Sequence, residues 1–301
     1  TVYGLAANAL SECAVREIYN LKRRPEQNPL IIHILQSSDA EKIAFTNSLF
    51  YKLTELLWPG PLTIILRAKK IVPRITTGGL ETVAIRSPNS DIFRNALKTT
   101  QLFLAAPSAN ISNRISPTRA SHVLENFKNS NLPVYDGGDS IIGLESTVID
   151  LTVSPPEILR PGPVGQETLE IALGKDVIVN QKLSSHIPKS PGKNLVHYSP
   201  ITPMKVYRNE KVLFQEHKTD SDSLFIFPKG IECAIGYEFR NTMSFSETGR
   251  TNEISKNLYS TLHSADKMQC PAIKSCLIKE VDAMSIAFND RLTKAGQLIS
   301  S

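Results

Sequence analysis

Short apolar runs alternate with helix-period stretches through the first 160 residues, and this alternation constrains the fold more than any bulk property does. Residues 30–35, 62–66, 82–86, 102–106, 148–151 and 157–160 are apolar or β-rich and too short for helices. Between them, Leu10, Ala14, Ile18 and Tyr19 recur at helical spacing. Gln36-Ser37-Ser38-Asp39 reads as a helix start. Residues 40–57 read as one amphipathic helix closed by Trp58-Pro59-Gly60-Pro61. Further helices are predicted over 91–98 and 117–127, the second with Ser116 as its cap and Pro117 at its first position. Strands interleaved with helices predict an α/β domain, which places ligands at the carboxyl ends of strands.

Residues 181–203 change character, with Ser184, Ser185, Pro188, Ser190, Pro191, Gly192, Ser199, Pro200 and Pro203 and little periodicity. Strand patterns return at 204–207, 223–227 and 241–245, and helical ones at 254–262 and 282–292. The expected organisation is a first α/β domain over 1–180, a linker over 181–203 and a smaller α/β domain over 204–301. A chain of 301 residues exceeds the usual span of one core. With 41% apolar and 21% charged residues, and no apolar run of about 18, it reads as soluble and cytoplasmic, without a membrane partner. It opens on Thr1-Val2-Tyr3-Gly4, in the middle of a motif, so an upstream segment is expected.

Net charge is +5, which permits anionic ligands without demanding nucleic acid. Cys13, Cys233, Cys270 and Cys276 fit neither a disulfide framework nor a zinc pattern. No H-E-x-x-H or G-x-S-x-G motif occurs, which removes the zinc-hydrolase and nucleophile-elbow classes.

Four segments carry the chemistry that remains. Lys22-Arg23-Arg24-Pro25 ends a predicted helix. It is either a solvated, dipole-matched terminus or a phosphate clamp joining a point charge to a planar fork. Ala105-Ala106-Pro107-Ser108-Ala109-Asn110, followed by Ser112, Asn113 and Ser116, leaves a strand and reads equally as a turn with a helix cap or as a ligand loop. Gly143-Leu144-Glu145-Ser146-Thr147-Val148 is a glycine-bearing loop entering a strand, and Ile158-Leu159-Arg160-Pro161-Gly162-Pro163 a strand ending in arginine. Arg86 and Arg160 pair with surface carboxylates or form an anion-ready rim. His33, inside an apolar run, reads first as a core histidine.

The ordered set Thr1 to Gly4, Lys22-x-Arg24-Pro25, Asn28-Pro29-Leu30-Ile31-x-His33, Trp58 to Thr63, Pro107 to Asn110 and Glu145 to Val148 resembles the YrdC-like threonylcarbamoyl-AMP synthases. Ser190-Pro191-Gly192, His197-Tyr198 and Asn289-Asp290-Arg291-Leu292 are similar to the long, two-domain form. The resemblance implies a twisted mixed sheet with a concave active-site surface, a smaller C-terminal α/β domain and a linker able to act as a lid. It implies conversion of ATP, L-threonine and bicarbonate to threonylcarbamoyl-adenylate and pyrophosphate, with Mg2+ bridging phosphates. The product would pass to a separate tRNA threonylcarbamoyl transferase complex, forming threonylcarbamoyladenosine. Direct tRNA contact and oligomeric state are left open.

On this resemblance Lys22 and Arg24 are the catalytic pair. Asn28, Thr82, Ser108, Asn110, Ser116, Arg160 and Tyr198 join them on the ATP side. Thr1, His33, Arg86, Ala106 (through its backbone) and Ser146 line the threonine pocket. No metal-ligating side chains are implied. Arg23 and Asn113 stand where glycine is usual in the family, and Lys193, Leu195 and Val196 depart from the usual linker residues. The alternative is a YrdC-like nucleotide- or RNA-binding protein without synthase activity.

Overall fold

The computed structural model describes residues 1–180, 197–230 and 240–299. The first unit is a mixed nine-stranded sheet in the order β1-β6-β2-β5-β4-β7-β8-β9, with β3 paired to β4. Its strands are β1 (Ala7–Asn8), β2 (Ile31–His33), β3 (Ala44–Phe45), β4 (Leu62–Ala68), β5 (Thr82–Arg86), β6 (Leu104–Ala105), β7 (Thr147–Asp150), β8 (Glu157–Arg160) and β9 (Ile178–Val179). Because successive side chains alternate across a strand, each strand feeds two faces. Ile32, Ile64, Leu66, Val83, Ile85, Ile149 and Ile158 enter the main core. There they meet Val15 and Ile18 of α1 (Glu12–Lys22), Phe50 and Leu53 of α2 (Ser48–Leu57), and Leu169 and Leu173 of α5 (Gln166–Leu173). The alternate residues Ile31, Ile65, Ala84 and Val148, with Leu159, form a small separate cluster.

The expected strands fall close to their places, β1, β3, β9 and α5 have no counterpart among the expected elements, and two of the expected helices differ. Residues 40–57 are not one helix. A 3-10 turn (Ser37–Lys42) gives way to β3, and α2 begins only after Asn47, whose Oδ1 accepts from the Phe50 N–H at 2.9 Å. Ala44 and Phe45 have strand partners in Ala68 and Arg67, so tertiary pairing overrides the local helical pattern there. Residues 117–119 are not helical either. α4 spans Ala120–Asn126 with Arg119 at its cap position, so Ser116 lies too early to cap it, and its hydroxyl instead donates to Glu145 Oε1 at 2.7 Å. α3 runs Asp91–Thr100, as expected apart from its last turn.

The second unit is a five-stranded sheet, β12-β11-β13-β10-β14, in which every pairing is parallel. It comprises β10 (Met204–Tyr207), β11 (Leu224–Lys229), β12 (Thr242–Ser246), β13 (Ile273–Cys276) and β14 (Gln297–Leu298), with α6 (Glu210–His217), α7 (Thr251–Lys267) and α8 (Ala283–Ala295). Parallel strands are covered on both faces, so Leu224 to Phe227 are apolar without alternation and all buried. No helix among the described residues is long and apolar enough to cross a membrane. Cys13, Cys270 and Cys276 are free thiols, while Cys233 lies outside the described residues. So do Ser190-Pro191-Gly192, Lys193, Leu195 and Val196 of the linker.

The two units share a core. Ile115, Leu144 and Tyr198 join Leu258, Tyr259, Leu262, Phe288 and Leu292 in one buried cluster. Gly143 makes this contact possible: it sits at φ +75, and a Cβ there would lie 2.1 Å from the Lys256 carbonyl oxygen of α7. A side chain at 143 therefore meets both backbone strain and a fixed helix backbone. Gly143→Ala is expected to destabilise the protein by about 2–3 kcal/mol. Gly138→Ala, at φ +72 with open space around its Cβ, is expected to cost only about 1 kcal/mol. Thermal and urea unfolding of the two variants checks the difference.

Candidate active site

The sheet face opposite the helices gathers most of the polar residues singled out from the sequence. Thr82, Ala84 and Arg86 share one face of β5, and His33 of β2 is the register partner of Arg86. Arg86 Nε donates to the Gly60 carbonyl at 2.9 Å and Nη1 to Thr1 Oγ1 at 3.0 Å. Ser146 Oγ lies 2.7 Å from Thr63 Oγ1, and Arg160 donates to Ser146 O at 3.0 Å and Ser146 Oγ at 3.1 Å. A register shift opposite Val148/Ile149 places an extra residue in β8. Such a bulge re-aims side chains, and here Leu159 joins the small cluster while Arg160 turns to Ser146. Ala106 hydrogen-bonds through its N–H to Ile31 O at 3.1 Å, and Ser108 bridges to Gly4.

The clamp segment is not a solvated helix end. Lys22 is 1% exposed and Arg24 8%, whereas Arg23 between them is exposed. Arg23 adopts the left-handed conformation, φ 50, which ends α1. The need for that conformation accounts for glycine being usual there, and the turn lets residues 22 and 24 both point inward. Asn113, the other non-glycine position, is also left-handed at φ 67. Lys22 Nζ donates to Ser108 O at 2.5 Å and Asn110 O at 2.6 Å, tying the helix end to the 108–110 loop. Arg24 donates to Asn28 O at 3.1 Å and Pro29 O at 3.0 Å.

These buried cations repel one another in sequence. Burial, then the charge of Arg24, drives the Lys22 ammonium well below its usual range. Burial brings Arg24 to about 10 against the opposing pull of Tyr19 and Tyr198, and Arg160 adds repulsion. Burial, then Arg160, brings Arg86 to about 9. Burial with Arg86 holds His33 neutral at about 3. His197 is also pushed to about 3 by burial, against the attraction of Glu145, with Arg24, Lys22 and Lys294 adding repulsion. Residues 22, 24, 86, 160 and 197 therefore share one electrostatic environment.

Several buried atoms around it have no hydrogen-bond partner among the described residues: Asn28 Oδ1, His33 Nδ1, Asn110 Oδ1, Ser112 Oγ, His197 Nδ1 and Ser199 Oγ. Buried polar groups are ordinarily satisfied, so these atoms keep hydrogen-bonding capacity to spare. Ser116 is committed to Glu145. Tyr198 is buried at φ 64, its ring 5.5 Å from the Arg291 guanidinium and 5.7 Å from Tyr259. Thr82 and Ser108 are only partly buried. The sequence assigns no site role to Thr63, His197, Ser199, Tyr259 or Arg291. Thr63, His197 and Arg291 lay within quoted motifs, while Tyr259 carried no local signal.

Comparisons with known proteins show what the chain is similar to. Residues 1–162 match the Sua5/YciO/YrdC family model, described as "Telomere recombination", and residues 164–296 the model of the threonylcarbamoyl-AMP synthase C-terminal domain. The chain is 37% identical to the threonylcarbamoyl-AMP synthase of Pyrococcus abyssi, covering 98% of this chain and 88% of that one. It is 34% identical to that of Bacillus subtilis, covering 98% and 87%. The crystal structure of P. abyssi Sua5 complexed with L-threonine superposes with a TM-score of 0.90 at 35% identity, over 99% of this chain and 89% of that one.

Burial lowers the proton affinity of three histidines. His122, stacked 3.8 Å from His263, is held at about 4 by burial and its neighbour, joining His33 and His197 at about 3. An unfolded chain protonates these rings near pH 6.5 and the folded one does not, so their contribution is complete above that pH and is lost as pH falls towards 3 to 4. The melting temperature is expected to drop between about pH 7.5 and 5, ahead of carboxylate titration. Thermal melts at constant ionic strength check this, and His33→Asn should flatten the slope.

Proposed function

This chain belongs to the two-domain threonylcarbamoyl-AMP synthase family, and we propose that it condenses L-threonine, bicarbonate or CO2 and ATP to threonylcarbamoyl-AMP and pyrophosphate. The observation that supports this most is the run of buried cations, Lys22, Arg24, Arg160 and Arg86, with Glu145 as the carboxylate in their midst. Burying that much positive charge is costly, and a polyphosphate beside a carboxylate substrate offsets the cost.

The chemistry asks for no protein nucleophile. The threonine amine attacks the carbon of CO2 and loses a proton, or attacks bicarbonate with loss of water, to give a carbamate. A carbamate oxygen then attacks the α-phosphorus and pyrophosphate leaves. Lys22 and Arg24 take the charge that develops on the departing phosphates, with Asn28, Thr82, Ser108, Asn110, Ser116, Arg160 and Tyr198 forming the nucleotide side. Thr1, His33, Arg86, the Ala106 backbone and Ser146 form the threonine side, where Arg86 is the cation available to the amino-acid carboxylate. Neutral His33 adds no charge there. Positioning and exclusion of water carry the rate.

Among the described residues no group of three or more His, Cys, Asp or Glu side chains converges. Mg2+ would therefore enter on the phosphates of ATP, completed by water, and act by neutralising them. The adenylate would then serve a tRNA threonylcarbamoyl transferase complex in the cytoplasm.

Purified protein is expected to release pyrophosphate only when ATP, bicarbonate and L-threonine are all present. Lys22→Ala should lower kcat/KM by at least about 100-fold. Coupled pyrophosphate detection checks both. ATP binding without threonine-dependent release would instead identify a nucleotide-binding protein.

A further inference from the structure

The C-terminal motif Asn289-Asp290-Arg291-Leu292 lies far from the substrate-facing residues in sequence, yet Arg291 is fully buried against them. From α8 its Nε donates to Glu145 Oε2 at 3.0 Å, its Nη2 to Pro161 O at 2.9 Å and its Nη1 to Asp290 Oδ2 at 2.6 Å. One guanidinium thus grips both loops that carry substrate-side groups, since Glu145 adjoins Ser146 and Pro161 adjoins Arg160. Tyr259 of α7 donates its hydroxyl to the same Glu145 oxygen at 2.9 Å. The other oxygen accepts from Ser116 Oγ.

Glu145 therefore receives two hydrogen bonds from the C-terminal unit and one from the nucleotide side of the first unit. Burial alone would favour its neutral form, but Arg291 and then Arg160 outweigh it and hold the carboxyl ionised, at about 2. Backbone packing fixes the same loops, through the approach of α7 to Gly143. Gly162 likewise leaves no room, since a Cβ there would lie 2.4 Å from the Thr147 nitrogen. Asn289 secures the approach to α8, exchanging hydrogen bonds with the Ile278 backbone at 3.0 Å and 2.8 Å.

We propose that Arg291 and Tyr259 are positioning residues for adenylate formation, holding Glu145 so that Ser116, Ser146 and Arg160 meet their substrates in register. The C-terminal unit is then a structural half of the active site rather than an appended module. This inference rests on the synthase reading above.

The experiment measures kcat, and KM for ATP and L-threonine, by pyrophosphate release from the full chain carrying Tyr259→Phe, Arg291→Lys or Arg291→Met, with melting temperatures alongside. Glu216→Gln is the control, because it weakens the remote Lys274–Glu216 pair of the second sheet (2.7 Å). Tyr259→Phe, which keeps the ring, should lower kcat about tenfold. Arg291→Met should lower it by about 100-fold, and Arg291→Lys should recover part of the loss by keeping the charge without the fork. Glu216→Gln should lower the melting temperature and leave kcat unchanged. If Arg291→Met does not fold, Tyr259→Phe decides. The proposal is overturned if Tyr259→Phe and the folded Arg291 variants keep kcat and both KM values within about twofold of the parent. It is also overturned if kcat merely tracks melting temperature across the set, control included. Absence of threonine-dependent release from the parent chain overturns the synthase reading with it, whereas an active parent with insensitive variants overturns only this inference.

Discussion

Everything in this structure is arranged around positive charge taken out of water. Lys22, Arg24, Arg86 and Arg160 are each 9% exposed or less. A desolvated cation ordinarily needs a buried anion, or it gives up its proton. Here Lys22 and Arg24 are held by backbone carbonyls at 108, 110, 28 and 29. Carbonyl dipoles orient an ammonium or guanidinium without cancelling its charge. An anionic substrate is the partner that compensates the burial of these cations.

The sheet makes this possible by dividing labour between its faces. One face supplies the apolar core against α1, α2 and α5. The other has only a small apolar floor, Ile31, Ile65, Ala84, Val148 and Leu159, ringed by polar side chains from the same strands. Strand alternation supplies Thr82, Arg86 and His33, a bulge turns Arg160 inward, and the left-handed turn at Arg23 brings Lys22 and Arg24 to the same side. The C-terminal unit then braces the loops that no strand can hold. Its Arg291 supplies the countercharge for Glu145 and ties the 145 and 161 segments together.

Much of this was legible along the chain because it rests on local rules. The strand at 82–86 has the expected limits, and Ala14, Ile18 and Tyr19 of the helical pattern fall inside α1, although Leu10 precedes it. The stretch at 40–57 misled because its apolar spacing suits a helix. The pairing of Ala44 with Ala68 and the capping by Asn47 are stronger than that local preference. Ser116-Pro117 misled for a similar reason. A serine before proline is a good helix cap only where the helix starts at that proline, and here α4 starts at Ala120 with Arg119 before it.

By itself the sequence determined the α/β alternation, the two units and the order of motifs that carries the family. It also contained the residue types needed for an anion site, because periodicity, capping and turn chemistry act over a few residues. Only the tertiary structure decided that Lys22 and Arg24 are buried rather than solvated. The same holds for Tyr198, which packs on Arg291, and for Tyr259 and Arg291, which complete Glu145 across 114 and 146 residues of chain. Burial and charge pairing depend on which segments meet in space, and no local pattern encodes contacts at such separations.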